Sequence, residues 1–145
     1  MPRWIGKYRT WRRLSRSERA TGRLAWFLLP LISLSIKFAG LTATTRWLSR
    51  RIEVARRRAD SVPADFAASA ARLVPLMASY SPVKAVCLAQ SVTLWFLLAR
   101  KGIDSAVRIG VTKESGVFGA HAWVDMNGTV LLDRPDVADR FTVIV

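Results

Sequence analysis

The chain carries one cysteine, Cys87, and one histidine, His121, which lies 34 residues further on and 12 residues before Asp133. A thiol, an imidazole and a carboxylate are the parts of an acyl-transfer centre. The thiolate attacks a carbonyl, the imidazole moves the proton, and the carboxylate holds the imidazole in one tautomer. Taken singly, each residue has a plainer explanation: a lone cysteine is commonly a small buried apolar residue, and a lone histidine is usually structural. A metal centre is not indicated, because one Cys and one His leave carboxylates to complete any site and no ligand spacing appears. The choice between chemistry and packing rests on whether the surrounding elements bring the three side chains together.

The cysteine falls in the stretch Ser81-Pro82 followed by KAVCLAQSVTLWFLLARKG. Ser81 as a cap, Pro82 at the first helical position and Val86, Leu94, Leu97 and Leu98 at helical spacing predict a helix that Gly102 stops. Cys87 then sits within its first two turns, where unpaired backbone N–H groups and the positive end of the helix dipole favour a thiolate. The backbone N–H of Cys87 is the natural donor to an oxyanion there.

Three strands are expected downstream, over 106–111, 119–125 and 129–133, which with the preceding helices makes the fold class α+β. The turn Asp125-Met126-Asn127-Gly128-Thr129 admits two registers. A two-residue Asn127-Gly128 loop pairs Met126 with Thr129 and places residues 121 and 133 on opposite faces of the hairpin. A three-residue loop, with a type I turn from Asp125 and Gly128 in a bulge, pairs Asp125 with Thr129 and sets His121 directly across from Asp133. The bulged register also puts Ala122, Val124, Val130 and Leu132 together on the other face as an apolar set, and the Asp-x-x-Gly spacing favours it.

The blocks Cys87-Leu88-Ala89-Gln90, Arg100-Lys101-Gly102-Ile103, Ile109-Gly110-Val111, Ala120-His121-Ala122-Trp123-Val124 and Asn127-Gly128 together resemble the leader peptidases of lasso-peptide biosynthesis. The resemblance is strong over residues 80–133 and loose over the amino-terminal half. It implies a transglutaminase-like, papain-related core with the catalytic triad Cys87, His121 and Asp133 and no cofactor. It also implies bacterial origin and a lasso precursor peptide whose leader is removed. The leader would be presented by a separate winged-helix recognition protein, and a macrolactam-forming synthetase would act on the freed core. Papain-like enzymes place an oxyanion glutamine before the cysteine; Gln90 follows it and is read as structural. Trp123 would shield the triad, line the substrate groove, or simply pack.

Charge divides the chain. Of 145 residues with a formal charge of +13, the first 60 hold 15 of the 23 basic residues and only Glu18, Glu53 and Asp60 of the 10 acidic ones. Residues 1–60 thus read as a basic helical part and 61–145 as a near-neutral catalytic core, with a boundary at Ser61-Val62-Pro63, all within one domain. Helices are expected after Ser15 or Ser17, over 44–58 and over 64–77. The apolar run Leu24–Leu41 approaches the length of a membrane span, but Pro30 and Lys37 interrupt it and favour a buried helix pair or one kinked helix. A weak twin-arginine resemblance at Arg12-Arg13 lacks a cleavage site, and a single cysteine fits a reducing cytoplasm. The arginines at 46, 50, 51 and 56–58 form a solvated face or a docking surface for a partner, leader carboxylates or a membrane. Two rivals stand beside the peptidase: a basic helical protein bound to membrane or nucleic acid with incidental Cys and His, and a transglutaminase-like acyl transferase.

Overall fold

The computed structural model describes residues 10–57, 65–114 and 116–144. The expected boundary at Ser61-Val62-Pro63, Arg58 of the arginine cluster, and Ala64 at the start of the third expected helix lie outside them.

Helix α1 (Arg16–Ala39) starts at a complete capping box: the Ser15 hydroxyl accepts from the Glu18 N–H (3.2 Å) while the Glu18 carboxylate accepts from the Ser15 N–H (2.8 Å). Pro30 lies inside this element, so the run up to Ala39 is one helix and not a helix pair. Gly40, at φ +86°, ends α1 by donating its N–H to the Ile36 carbonyl, and α2 (Leu41–Arg56) begins at the next residue. Ser35 and Thr44 join hydroxyls across this hairpin (2.7 Å). Helix α3 (Phe66–Ala78) contains Pro75 near its end. Helix α4 (Cys87–Ala99) runs through the centre, burying Ala89, Val92, Leu94, Leu97 and Leu98 against residues of the other three helices.

By length and composition α1 could cross a membrane. In this fold one face of it, Ala25, Leu28, Leu29 and Ile32, is buried in the core, while Phe27, Leu31, Leu34 and Phe38 are exposed. Trp26 ties α1 to the approach to α4 by donating its indole N–H to the Tyr80 carbonyl (3.2 Å).

The remaining elements form an antiparallel sheet of order β3-β2-β1-β4, where β1 is Ala106–Glu114, β2 Val117–Met126, β3 Thr129–Leu131 and β4 Thr142–Val143, with a single helical turn α5 (Val137–Arg140) before β4. Helix α4 packs on β1 and β2, and Val107 and Val124 join the helical core. The fold class is α+β.

Two expectations are corrected. The helix bearing the cysteine does not begin at Ser81-Pro82. Residues 81–86 are irregular: the Ser81 hydroxyl accepts from the Val83 N–H in a local turn (3.3 Å), and Val86 is extended. The hairpin register is also not the bulged one: Met126 pairs with Thr129, Asp125 with Val130 and Val124 with Leu131. Asn127 (φ +51°) and Gly128 (φ +87°) both take the left-handed conformation, which closes a two-residue loop of the type whose twist suits a hairpin. The Asp125 carboxylate accepts from the Gly128 N–H (2.8 Å), so the Asp-x-x-Gly spacing is satisfied without any extra residue.

Candidate active site

Cys87 is the first residue of α4 and is half-buried, next to Val86, which is 55% exposed. Val86 has the extended backbone of an N-cap (φ −73°, ψ 167°) but no side-chain acceptor to offer. The first amide of the helix to find a carbonyl four residues back is that of Gln90, which donates to Val86 (3.1 Å). The N–H groups of Cys87, Leu88 and Ala89 therefore have no intrahelical partner, and they gather beside the thiol. Gln90 also donates its side-chain amide to the Ala85 carbonyl (3.0 Å), which pins the irregular approach onto the helix and makes the residue structural.

His121 sits on β2 directly across from Gly110 of β1. Its Nε2 is hydrogen-bonded to Oδ2 of Asp133. In the two-residue register a continued β3 would have pointed these side chains to opposite faces. The strand instead stops at Leu131, and Leu132 takes a left-handed conformation (φ +69°). That reversal breaks the alternation and swings Asp133 back to the imidazole.

Asp133 is in turn held from three directions. Its Oδ1 accepts from the Arg134 N–H (2.6 Å) and from the Arg140 guanidinium (3.1 Å), while Oδ2 meets His121. Burial pushes the carboxyl up, but the Arg134 N–H, the His121 hydrogen bond and the charges of His121 and Arg140 outweigh it and hold the pKa below the ordinary carboxylate value. With Nε2 engaged by the carboxylate, Nδ1 is the nitrogen left to exchange a proton with a nucleophile. Among the described residues the Cys87 thiol forms no hydrogen bond, and the structure joins His121 to Asp133 without joining Cys87 to His121. Catalytic contacts of this kind often tighten only when substrate binds.

Aromatic rings complete the histidine's surroundings. The Trp123 ring lies 6.2 Å from the imidazole with planes 30° apart, and Phe141 lies 5.5 Å away. Trp123 is buried, so it packs and shields and does not line an open groove. Gly110 makes this possible: a Cβ there would come within 2.7 Å of Phe141 Cβ and 2.9 Å of Trp123 Cη2. The Ile109-Gly110-Val111 block thus has a steric reason.

Arg140 and Phe141 are invisible to sequence reasoning. No spacing rule connects them to His121, because they are returned to it by the single turn α5, anchored by buried Val137, and by β4 pairing with β1. Among the described residues no group of three or more His, Cys, Asp and Glu side chains could hold a metal ion.

A central helix with a cysteine at its first residue, packed on an antiparallel sheet with a histidine–aspartate pair, is the architecture of a transglutaminase-like core. Residues 31–145 match the Transglutaminase-like superfamily, and the chain belongs to that family. Over 61 residues it is 36% identical to the Microcin J25-processing protein McjB of Escherichia coli, a stretch that is 42% of this chain and 28% of that protein. No solved structure matches the chain significantly.

Proposed function

We propose that the chain is a cysteine peptidase that releases the leader from a ribosomally made lasso-peptide precursor in the bacterial cytoplasm, with a separate leader-binding protein presenting the substrate. The observation that carries this reading is the Nε2-tethered His121–Asp133 pair on the sheet against which the helix headed by Cys87 packs. Membership of the transglutaminase-like family and similarity to a microcin-processing protein support a peptide precursor as the substrate class.

In this mechanism Nδ1 of His121 takes the thiol proton as Cys87 Sγ bonds to the scissile carbonyl carbon. The oxyanion forms against the free amides at the start of α4, an arrangement worth about 3 kcal/mol when one well-placed donor acts. The imidazolium returns its proton to the departing amine, leaving the leader as a thioester on Cys87. Water, deprotonated by His121, then attacks the thioester, and the thiol leaves with the proton restored. Asp133 keeps the imidazole oriented throughout, and Arg140 keeps Asp133 ionised and in place. The amine that departs is the amino terminus of the core peptide, which is the group a macrolactam-forming enzyme needs next.

The test is incubation of the chain with a lasso precursor and a leader-binding protein, with products followed by mass spectrometry. Release of free leader acid by the wild type and none by Cys87→Ala is expected. Cleavage that persists in Cys87→Ala would sink the assignment, and a leader–amine adduct in place of the acid would make the chain an acyl transferase.

A further inference from the structure

The far end of the catalytic helix borders a feature that the chemistry does not use. Helices α1, α2 and α4 enclose a groove of about 810 Å³ whose apolar walls include Leu28, Trp47, Val54 and Phe96. Trp47 and Val54, both on α2, are 41% and 54% exposed. Four cations surround it: Arg50 and Arg51 from α2, and Arg100 and Lys101 just past α4. The hollow continues beyond Leu24, Arg100 and Lys101 toward Ser15, adding about 540 Å³.

The state of these cations is informative. Arg56, Arg57 and Arg72 pair with Asp104, Glu53 and Glu18, whereas none of the four groove cations meets a carboxylate among the described residues. Three are instead laid over aromatic rings. Arg51 sits 5.3 Å from the Trp47 centroid, Arg100 6.0 Å from Phe96 and Lys101 5.8 Å from Phe66. Stacking of this kind limits their rotamers without neutralising them, so they are presented as charged, partly pre-organised donors over an apolar floor. The complement of that surface is a peptide bearing carboxylates with apolar side chains between them. Its concave shape suits a chain segment better than a lipid surface.

We infer that this groove is an exosite that holds an acidic, apolar-anchored segment of the same peptide chain whose bond Cys87 cuts. The inference rests on the peptidase reading and adds a substrate feature to it. Helix α4, 13 residues long, sets the groove about 20 Å from Cys87, a distance that about six extended residues span. A segment bound there delivers the scissile bond at high effective concentration, and its energy appears in KM, because the contacts are equal before and during the reaction.

Two measurements test this separately from the chemistry. The first is fluorescence anisotropy of a labelled peptide of alternating glutamate and leucine titrated with the full chain. Binding is expected to weaken about tenfold in Arg50→Glu/Arg100→Glu and to stay within about twofold of wild type in Lys37→Glu/Lys113→Glu, which changes the net charge equally away from the groove. Arg50→Gln/Lys101→Gln gives a milder version should the reversal fail to fold. Equal weakening in both double variants, or no peptide binding alongside groove-dependent binding to phosphatidylglycerol vesicles, overturns the inference. The binding result decides this whether or not the chain cleaves anything. The second measurement is steady-state cleavage of the precursor, in which the groove variant is expected to raise KM about tenfold with kcat unchanged. A fall in kcat with KM constant contradicts an exosite.

Discussion

Two helix starts in this molecule share a backbone and differ in purpose. At the start of α1, Ser15 is extended (φ −66°, ψ 168°), and at the start of α4, Val86 is extended in nearly the same way (φ −73°, ψ 167°). Ser15 and Glu18 spend their side chains closing the orphan amides of α1. The Glu18 carboxyl is held below its ordinary pKa chiefly by the Ser15 backbone N–H, which with the Ser15 hydroxyl and Arg72 prevails over burial. Val86 closes nothing, and the amides behind it stay open beside the thiol. A helix start can be spent on stability or kept for an anion; α1 spends its own on stability, and the proposed mechanism uses that of α4 for an anion.

The contrast between the two starts breaks most visibly at the thiol itself. Cys87→Ala is expected to abolish leader release while leaving the fold intact, as judged by circular dichroism beside the mass-spectrometric assay. Next in size is Asp133→Asn, expected to lower kcat/KM by about a hundredfold or more, because the amide keeps the shape but no longer steadies a charged imidazole or fixes its tautomer.

The same substitution has a pH signature whose sign follows from the depressed carboxyl. Above the value of an unfolded aspartate, about 3.9, the folded and unfolded chains both carry the charge and the stabilisation is fully present. As the pH falls below that, the unfolded chain takes up the proton first, and the advantage drains away until the folded carboxyl also protonates. Urea denaturation should therefore show the margin of wild type over Asp133→Asn shrinking as the pH falls below about 4. A margin that grew as the pH fell below about 4 would refute the account of a carboxyl held ionised by the Arg134 N–H, His121 and Arg140.

Much of this arrangement is legible in the residues, and the illegible parts share a cause. Helical periodicity exposes α4 because its apolar positions are many, and Asn127-Gly128 is the strongest short hairpin signal a chain can carry. The bulged register has its appeal because it alone brings His121 to Asp133 if β3 continues to alternate. It does not continue: Leu132 adopts a positive φ that leucine rarely takes, so a tertiary demand overrides a local rule at one residue beside the site. The start of α4 departs from expectation for a similar reason, since Ser81-Pro82 is a good local initiator that the turn at Val83 diverts. Arg140 is out of reach of any such reading, because a single helical turn brings it back across seven residues without a periodic pattern to announce it.

A sharper probe moves the character of one helix start onto the other. Val86→Asp supplies α4 with the acceptor it lacks and is expected to raise stability by about 1 kcal/mol. It also closes amides near the oxyanion position and sets a negative charge next to the developing thiolate, so kcat/KM should fall about tenfold. Stability and activity moving in opposite directions is the outcome that separates an anion site from an ordinary uncapped helix. A gain in both would mean that the open amides of α4 serve nothing.

The smallest expected effect is the reciprocal change. Ser15→Ala removes the hydroxyl that accepts from the Glu18 N–H and should cost about 1 kcal/mol in urea denaturation. It should leave kcat untouched, because α1 contributes its buried face to the core and no group to the proposed chemistry. Ser15 also lines the outer end of the groove, but the contacts inferred there are made by cations and apolar walls, so KM should move by less than about twofold. If kcat fell along with stability, the start of α1 would be coupled to the site through Trp26 and the Tyr80 carbonyl, and the separation of the two helix starts into one for stability and one for chemistry would fail.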